Sequence, residues 1–269
     1  MNKIRIIKPI GFVGGGNMTE AMIAGILKKK IFKPSDIIVS DICEHRLKIL
    51  NSKYGISTSS DNKILFKRSE TIFLALKPYD YTKNKNKFPI LDDHNTIISI
   101  MAGIKYIDLQ RTFSTKKIFR CMPNTAAKIN KSVTLWYTQS QNTIDNTNVG
   151  RILSQIGFEQ QINDEKIIEK ATAIVGSGPA YVYSFIENMI DSAVLIGLNR
   201  KLATHMIINT IEGSVLMAQN QPDDIVQLRQ KITSPGGTTA QALRQLDKTG
   251  FKHSINEAVL AAHEHACHA

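Results

Sequence analysis

A chain of 269 residues is long enough for two domains and for a core that needs no staple. Apolar residues make up 42% and charged residues 21%, a globular balance that excludes a disordered chain, and no charge-free run is long enough to span a membrane. The net charge of +11 is uneven: residues 1–165 hold 25 Lys/Arg against 14 Asp/Glu and residues 166–269 hold 9 of each, which argues against a uniformly basic nucleic-acid binder and hints at a boundary near 165.

The chain begins basic, turns apolar and runs straight into Gly14-Gly15-Gly16 and Glu20, so its start reads as a first strand and turn rather than a signal peptide. Strands are expected at 10–13, 37–40, 71–76, 96–101, 117–122 and 133–137. A helix at 18–30 fills the first gap, with Asn17 and Glu20 as a capping box and Lys28-Lys29-Lys30 at the negative end of its dipole. A second at 44–54 carries Leu47, Leu50 and Tyr54 on one face and stops at Gly55. Alternation of this kind predicts α/β, a doubly wound parallel sheet over residues 1–165. Beyond it the period becomes helical throughout. Ser177-Gly178-Pro179 opens a helix to about 196, ended by Gly197, and further helices are expected at 201–219, 237–248 and 252–268, giving an all-α domain over 166–269.

Three segments carry chemistry. Gly11-Phe12-Val13-Gly14-Gly15-Gly16-Asn17-Met18-Thr19 follows a strand and opens a helix, the context of a dinucleotide fingerprint. Gly14 makes the tight turn, Gly16 admits a pyrophosphate close to the backbone, and the helix start supplies N–H donors. Thr19 stands at the third position, where Gly or Ala is usual. The second strand ends in Ser40-Asp41, with Arg46 soon after. Asp41 suits the ribose hydroxyls of NAD or a cap for the next helix, whereas Ser40 with Arg46 suits the 2′-phosphate of NADP; on balance a modest NADPH preference is expected, with NADH possible. Lys77, Met101 and Arg120 lie at the carboxyl ends of later strands, where open sheets bind ligands. In the helical part, Ser234-Pro235-Gly236-Gly237-Thr238-Thr239 is a proline–glycine turn entering a helix, a ready carboxylate or phosphate cradle or else an ordinary helix start.

Cys43, Cys121 and Cys267 are too scattered for a disulfide framework and fit a reducing, cytoplasmic setting. His263, His265, Cys267 and His268 crowd one helix end, which reads as solvated, with no metal site expected.

The chain closely resembles the pyrroline-5-carboxylate reductases. The likeness runs through Gly11–Met18, Ala75–Pro78, Arg-Cys-Met-Pro-Asn-Thr from Arg120, Gly-Ser-Gly-Pro-Ala-Tyr from Gly176, Ser-Pro-Gly-Gly-Thr-Thr from Ser234, and Gly250-Phe251. It implies an N-terminal Rossmann domain followed by a helical substrate-binding domain that builds a homodimer or larger homo-oligomer. It also implies NAD(P)H-dependent reduction of pyrroline-5-carboxylate to proline, with no nucleic-acid or membrane partner. By this resemblance Val13, Gly14, Gly15, Gly16, Asn17, Met18, Ser40, Asn62, Ala75, Leu76, Lys77, Pro78, Ile100, Met101 and Ala102 match cofactor positions. Gly236, Gly237, Thr238 and Thr239 match the substrate-carboxylate cradle, and Ser184 matches a hydroxyl near the imine nitrogen, so Ser184, Thr238 and Thr239 are the expected catalytic set. The chain departs from the family pattern at Arg229-Gln230, where Lys-Asp is usual, and at Asp224-Ile225, where His-Pro is frequent. A β-hydroxyacid dehydrogenase or imine reductase on the same plan would usually place a lysine on the first long helix of the second domain. The stretch from Tyr183 to Asn188 offers none. A non-catalytic cofactor-binding paralogue would not need both the glycine turn and the Thr-Thr cradle.

Overall fold

A computed structural model describes residues 9–91 and 94–268, so the basic lead-in before Pro9 lies outside the described residues. The chain divides into two compact units, one comprising Met1–Ser177 with Ala262–Ala269 and the other Gly178–Ala261. The division falls later than the expected boundary at 165, and the last segment returns to the first unit.

In the first unit the order is β1 (Ile10–Val13), α1 (Asn17–Lys28), β2 (Ile37–Ser40), α2 (Glu44–Tyr54), β3 (Ser57–Ser59), α3 (Asn62–Arg68), β4 (Thr71–Leu74), α4 (Pro78–Asn84), β5 (Thr96–Ser99), α5 (Tyr106–Phe113) and β6 (Ile118–Met122). Then come β7 (Ser132–Tyr137), α6 (Thr143–Leu153), β8 (Gly157–Ile162) and α7 (Lys166–Ala171). The eight strands form one sheet in the order β3-β2-β1-β4-β5-β6-β7-β8, parallel except where β6 meets β7. Buried strands such as Ile10–Val13 are apolar on both faces, because helices cover both sides of a parallel sheet.

On one face Ile10, Phe12, Val39 and Phe73 pack with Met22, Ile23 and Ile26 of α1 and Leu47 and Leu50 of α2. On the other, Val13, Ile38, Ile72 and Leu74 pack with Leu65 and Phe66 of α3, Tyr81 of α4, and Leu109 and Phe113 of α5. The Phe12 and Phe73 rings stack at 4.8 Å between centroids, tying the two central strands together. Two expected strands end early, at Leu74 and Ser99, because the chain turns there to meet the cleft described below. Ala75 N–H still donates to Val13 O at 2.9 Å and Ile100 N–H to Leu74 O at 3.1 Å.

A five-residue π-helical turn, Thr172–Gly176, follows α7. Beyond it lie α8 (Gly178–Leu195), α9 (Arg200–Asn220), α10 (Ile225–Lys231), α11 (Thr238–Lys248) and α12 (Phe251–His268), and no described residue after Ile162 is in a strand. Gly197 takes φ +99° just past α8, the left-handed stop its position predicts. The Asp224-Ile225 departure builds a helix start: Asp224 accepts from Gln227 N–H at 2.8 Å while Gln227 reaches back to Asp224 N–H at 3.0 Å. The interior of this unit is small, with Ile190, Ala193 and Ala203 buried at its centre. At the helix end read as solvated, His265 and Cys267 are exposed and His263 is half-buried. Ala266 is buried, and this stretch belongs to the first unit.

Candidate functional site

The strand order reverses between β1 and β4, and a cleft opens at their carboxyl ends, where an α/β sheet leaves room for a ligand. Its volume is about 620 Å³. Val13, Gly14 and Gly16 line it from the first turn, Ser40 and Asp41 from the end of β2, Asn62 from α3, and Ala75, Leu76 and Lys77 from the end of β4. Eight of the residues predicted to meet a cofactor are thus brought to one place, seven by three strand ends and Asn62 by the start of α3. Pro78 opens α4 beside them. Ile100, Met101 and Ala102 follow β5, and the Met101 side chain is buried in the core rather than in the cleft wall.

The turn itself is built for close approach. Gly14 has φ +101°, and a Cβ there would lie 2.5 Å from Ala75 O, so both backbone and space demand glycine. Gly16 has ordinary backbone angles, yet a Cβ would meet nothing within 4 Å; it would project into open space beside the cleft. That is the cradle a diphosphate needs. Asn17 and Met18 open α1, whose start carries no side-chain cap, so their N–H groups remain available. Thr19, at the position where the fingerprint prefers Gly or Ala, is fully buried and donates its hydroxyl to Gly14 O at 2.6 Å. The departure therefore fastens the turn.

The expected Asn17–Glu20 capping box does not form, because Glu20 has stronger partners. Arg46 Nη2 reaches its carboxylate at 2.5 Å, Lys53 Nζ at 2.8 Å and the Tyr54 hydroxyl at 3.1 Å. Lys53 above all, with Arg46 and Tyr54, holds its pKa down to about 2 against the opposing effect of burial. Asp41 is not the cap of α2 either. That position falls to Cys43, while Asp41 accepts from Gly15 N–H at 2.6 Å and Cys43 N–H at 2.8 Å. Ser40 is fully buried in the strand end, and its Oγ has no hydrogen-bond partner, an orphan suited to a ligand oxygen.

The cleft also includes Ile42, Cys43, Asp80, Asn84, Lys87 and Phe88, which the sequence did not single out. Ile42, 97% exposed straight after an acidic strand end, was the one legible signal among them.

In the second unit Gly236 takes φ +70° and Gly237 caps α11 without a side-chain hydrogen bond. Among the described residues no partner takes the hydroxyls of Thr238 or Thr239, so the turn offers open N–H donors and two free O–H groups. Ser184 lies on α8 and is exposed; its carbonyl accepts from Asn188, and no hydrogen bond joins it to the threonines.

Comparison with known proteins places this architecture. Residues 165–268 match the family model for pyrroline-5-carboxylate reductase dimerisation, and residues 9–103 match that for NADP oxidoreductase, coenzyme F420-dependent. Pyrroline-5-carboxylate reductase 2 of Bacillus subtilis is 36% identical over 255 residues, covering 93% of this chain and 90% of that one. The chain belongs to the pyrroline-5-carboxylate reductase family. The crystal structure of the Plasmodium falciparum pyrroline carboxylate reductase with NADP bound superposes with a TM-score of 0.89 at 32% identity, covering 97% of each chain. The Coxiella burnetii pyrroline-5-carboxylate reductase gives a TM-score of 0.82 at 27% identity, again over 97% of each. The Gly14–Met18 turn lies within the span matched by the NADP oxidoreductase model, and the dimerisation model takes in α8 to α12. No helix among the described residues is long and apolar enough to cross a membrane.

Proposed function

We propose that this chain reduces (S)-1-pyrroline-5-carboxylate to L-proline with NADPH, accepting NADH less well, as a cytoplasmic homo-oligomer built on a dimer. The reduced nicotinamide, when bound, supplies a hydride to the C=N carbon while the ring nitrogen takes a proton, so the bond becomes CH–NH. The chain's own work is positioning. Gly14, Gly15 and Gly16 with the N–H groups of Asn17 and Met18 hold the pyrophosphate. Ser40 and Asn62 face the adenosine ribose and its 2′-phosphate, and Ala75 to Pro78 with Ile100 to Ala102 hold the remainder. Gly236, Gly237, Thr238 and Thr239 bind the substrate carboxylate. Ser184 orients the imine nitrogen or a water beside it. A protonated cyclic imine accepts hydride readily, so no strong general acid is demanded.

The observation that carries this reading is that one family chain keeps two recognition elements open to a ligand: the glycine turn and the uncapped start of α11 with its two hydroxyls. The NADPH preference is supported by the unpartnered Ser40 Oγ and by the engagement of Asp41 with backbone N–H groups.

The substrate carboxylate keeps its charge throughout the reaction, so binding it stabilises ground and transition states alike. Thr239→Ala should therefore raise the KM for the imino acid more than it lowers kcat, by about ten- to a hundredfold in kcat/KM, with cofactor KM nearly unchanged. Steady-state kinetics varying each substrate separately tests this. Unchanged imino-acid KM with collapsed cofactor binding would move the cradle to the nucleotide.

A further inference from the structure

Building on the cofactor reading above, we propose that Arg46 is a positioning residue of the pyrophosphate turn and not the reader of the 2′-phosphate. With Asp41 it grips the two ends of one residue, Gly15. Asp41 Oδ2 takes the Gly15 N–H at 2.6 Å from one side. Arg46 Nε donates to Gly15 O at 2.6 Å from the other, and its Nη2 reaches Gly16 O at 3.5 Å. Both peptide orientations of Gly15 are thus set by opposite charges, one just past the end of β2 and one on α2, outside the turn.

The guanidinium is spent in doing so. Its Nη2 also binds Glu20 Oε2 at 2.5 Å, and Glu20 is anchored in turn by Lys53 and Tyr54. The partners around Glu20 hold its pKa down to about 2, so the carboxylate that anchors Arg46 stays ionised. A planar fork is the side chain that can serve a carbonyl and a carboxylate at once, which a lysine's single ammonium cannot do in the same geometry. Glycine is the residue with the most backbone freedom to lose, so three in succession need such an external hold if the turn is to keep the Gly16, Asn17 and Met18 N–H groups toward an anion, the Gly14 N–H being given to Ser40 O and the Gly15 N–H to Asp41. Thr19 supplies the same service to Gly14 through its carbonyl. A guanidinium turned away toward a 2′-phosphate would abandon Glu20 and Gly15 O together.

The two roles differ in how they treat the two cofactors, since the pyrophosphate is common to both and the 2′-phosphate belongs to NADPH alone. Fluorescence titration of the purified full chain with NADH and with NADPH separates them, alongside Tm and kcat at saturating cofactor. Arg46→Ala is expected to weaken both nucleotides together, by about tenfold, with their affinity ratio kept within about threefold. Arg46→Lys should restore Tm, because its ammonium can still pair with Glu20, yet leave most of the affinity loss in place. Glu20→Gln should show the same shared loss in smaller measure, and it keeps the test alive if Arg46→Ala folds poorly. A tenfold or greater selective loss of NADPH in Arg46→Ala would overturn the proposal, and so would unchanged affinity for both. Failure of the wild-type chain to bind either nucleotide would instead overturn the cofactor reading on which the proposal rests.

Discussion

Gly14 and Gly16 stand two residues apart and answer to different constraints. Gly14 is fixed by its own fold, through a positive φ and the Ala75 carbonyl at 2.5 Å from any Cβ. Gly14→Ala should lower stability by about 1–3 kcal/mol and abolish dinucleotide binding with it. At Gly16 the fold makes no such demand, because its φ of −68° suits alanine and the space is open. Gly16→Ala should leave Tm within about 2 °C of wild type or raise it slightly. On the proposed function its cofactor affinity should nonetheless drop by about tenfold or more, since the methyl group would fill the space proposed for the pyrophosphate. Thermal melts paired with NADPH titration separate the two, and equal loss of stability in both variants would contradict the assignment. At this scale the glycine turn was legible in the sequence, but not the employment of its neighbours. Asp41 and Arg46 look like competing cofactor ligands in a linear reading. Only the fold brings Glu20, 26 residues from Arg46, close enough to claim the guanidinium.

Among the elements, β1, β2 and α2 were legible to the residue because apolar runs and glycine stops mark them. β3 escaped notice because Ser57-Thr58-Ser59 has no apolar residue to give it a period. β8 escaped because Gly-Phe-Glu-Gln-Gln-Ile, at the sheet edge, buries only its last residue. Helices α7 and α10, of six and seven residues, span too few turns for a periodicity to declare itself. Yet α7 holds a buried ionic junction. Arg120 on β6, 1% exposed, binds Glu165 at 2.6 Å, just before α7, and Glu169 on α7 at 3.1 Å. Glu165 also accepts from Tyr106 N–H at 2.6 Å, so α5, β6 and α7 meet at one carboxylate. Arg120→Met should cost about 3 kcal/mol, the lower end for breaking a buried pair, because both carboxylates retain some contact with water. Adding Glu165→Gln and Glu169→Gln should recover much of that loss by removing the stranded charges. Denaturant melts of the single and triple variants would check it; equal stability of the two would show the cost is packing alone.

For the molecule as a whole, the second unit advertises a missing partner. Ile208 and Val215, two turns apart on one face of α9, are 43% and 50% exposed, and Leu195 and Ile196 are 86% and 81% exposed. A single chain gives these side chains no cover. Light scattering should find particles of at least two 30.0 kDa chains at micromolar concentration. Ile208→Glu with Val215→Glu should release monomers, because a charge at an apolar interface is costly while the same charge on an exposed helix is not. The helices themselves could be read in advance, but not which faces are buried, since that depends on atoms of another chain.

The segment from Ala262 belongs to the first unit although the whole of the second unit, Gly178–Ala261, intervenes in the chain. On a ribosome adding on the order of ten residues each second, the sheet is made many seconds before the piece that covers the end of its first unit. The residues that line the cleft at the ends of β1, β2 and β4, Val13 to Phe88, therefore stand in a nascent chain whose second-unit helices do not yet exist. A cofactor present during synthesis would bind such an intermediate and hold it folded while the rest is translated.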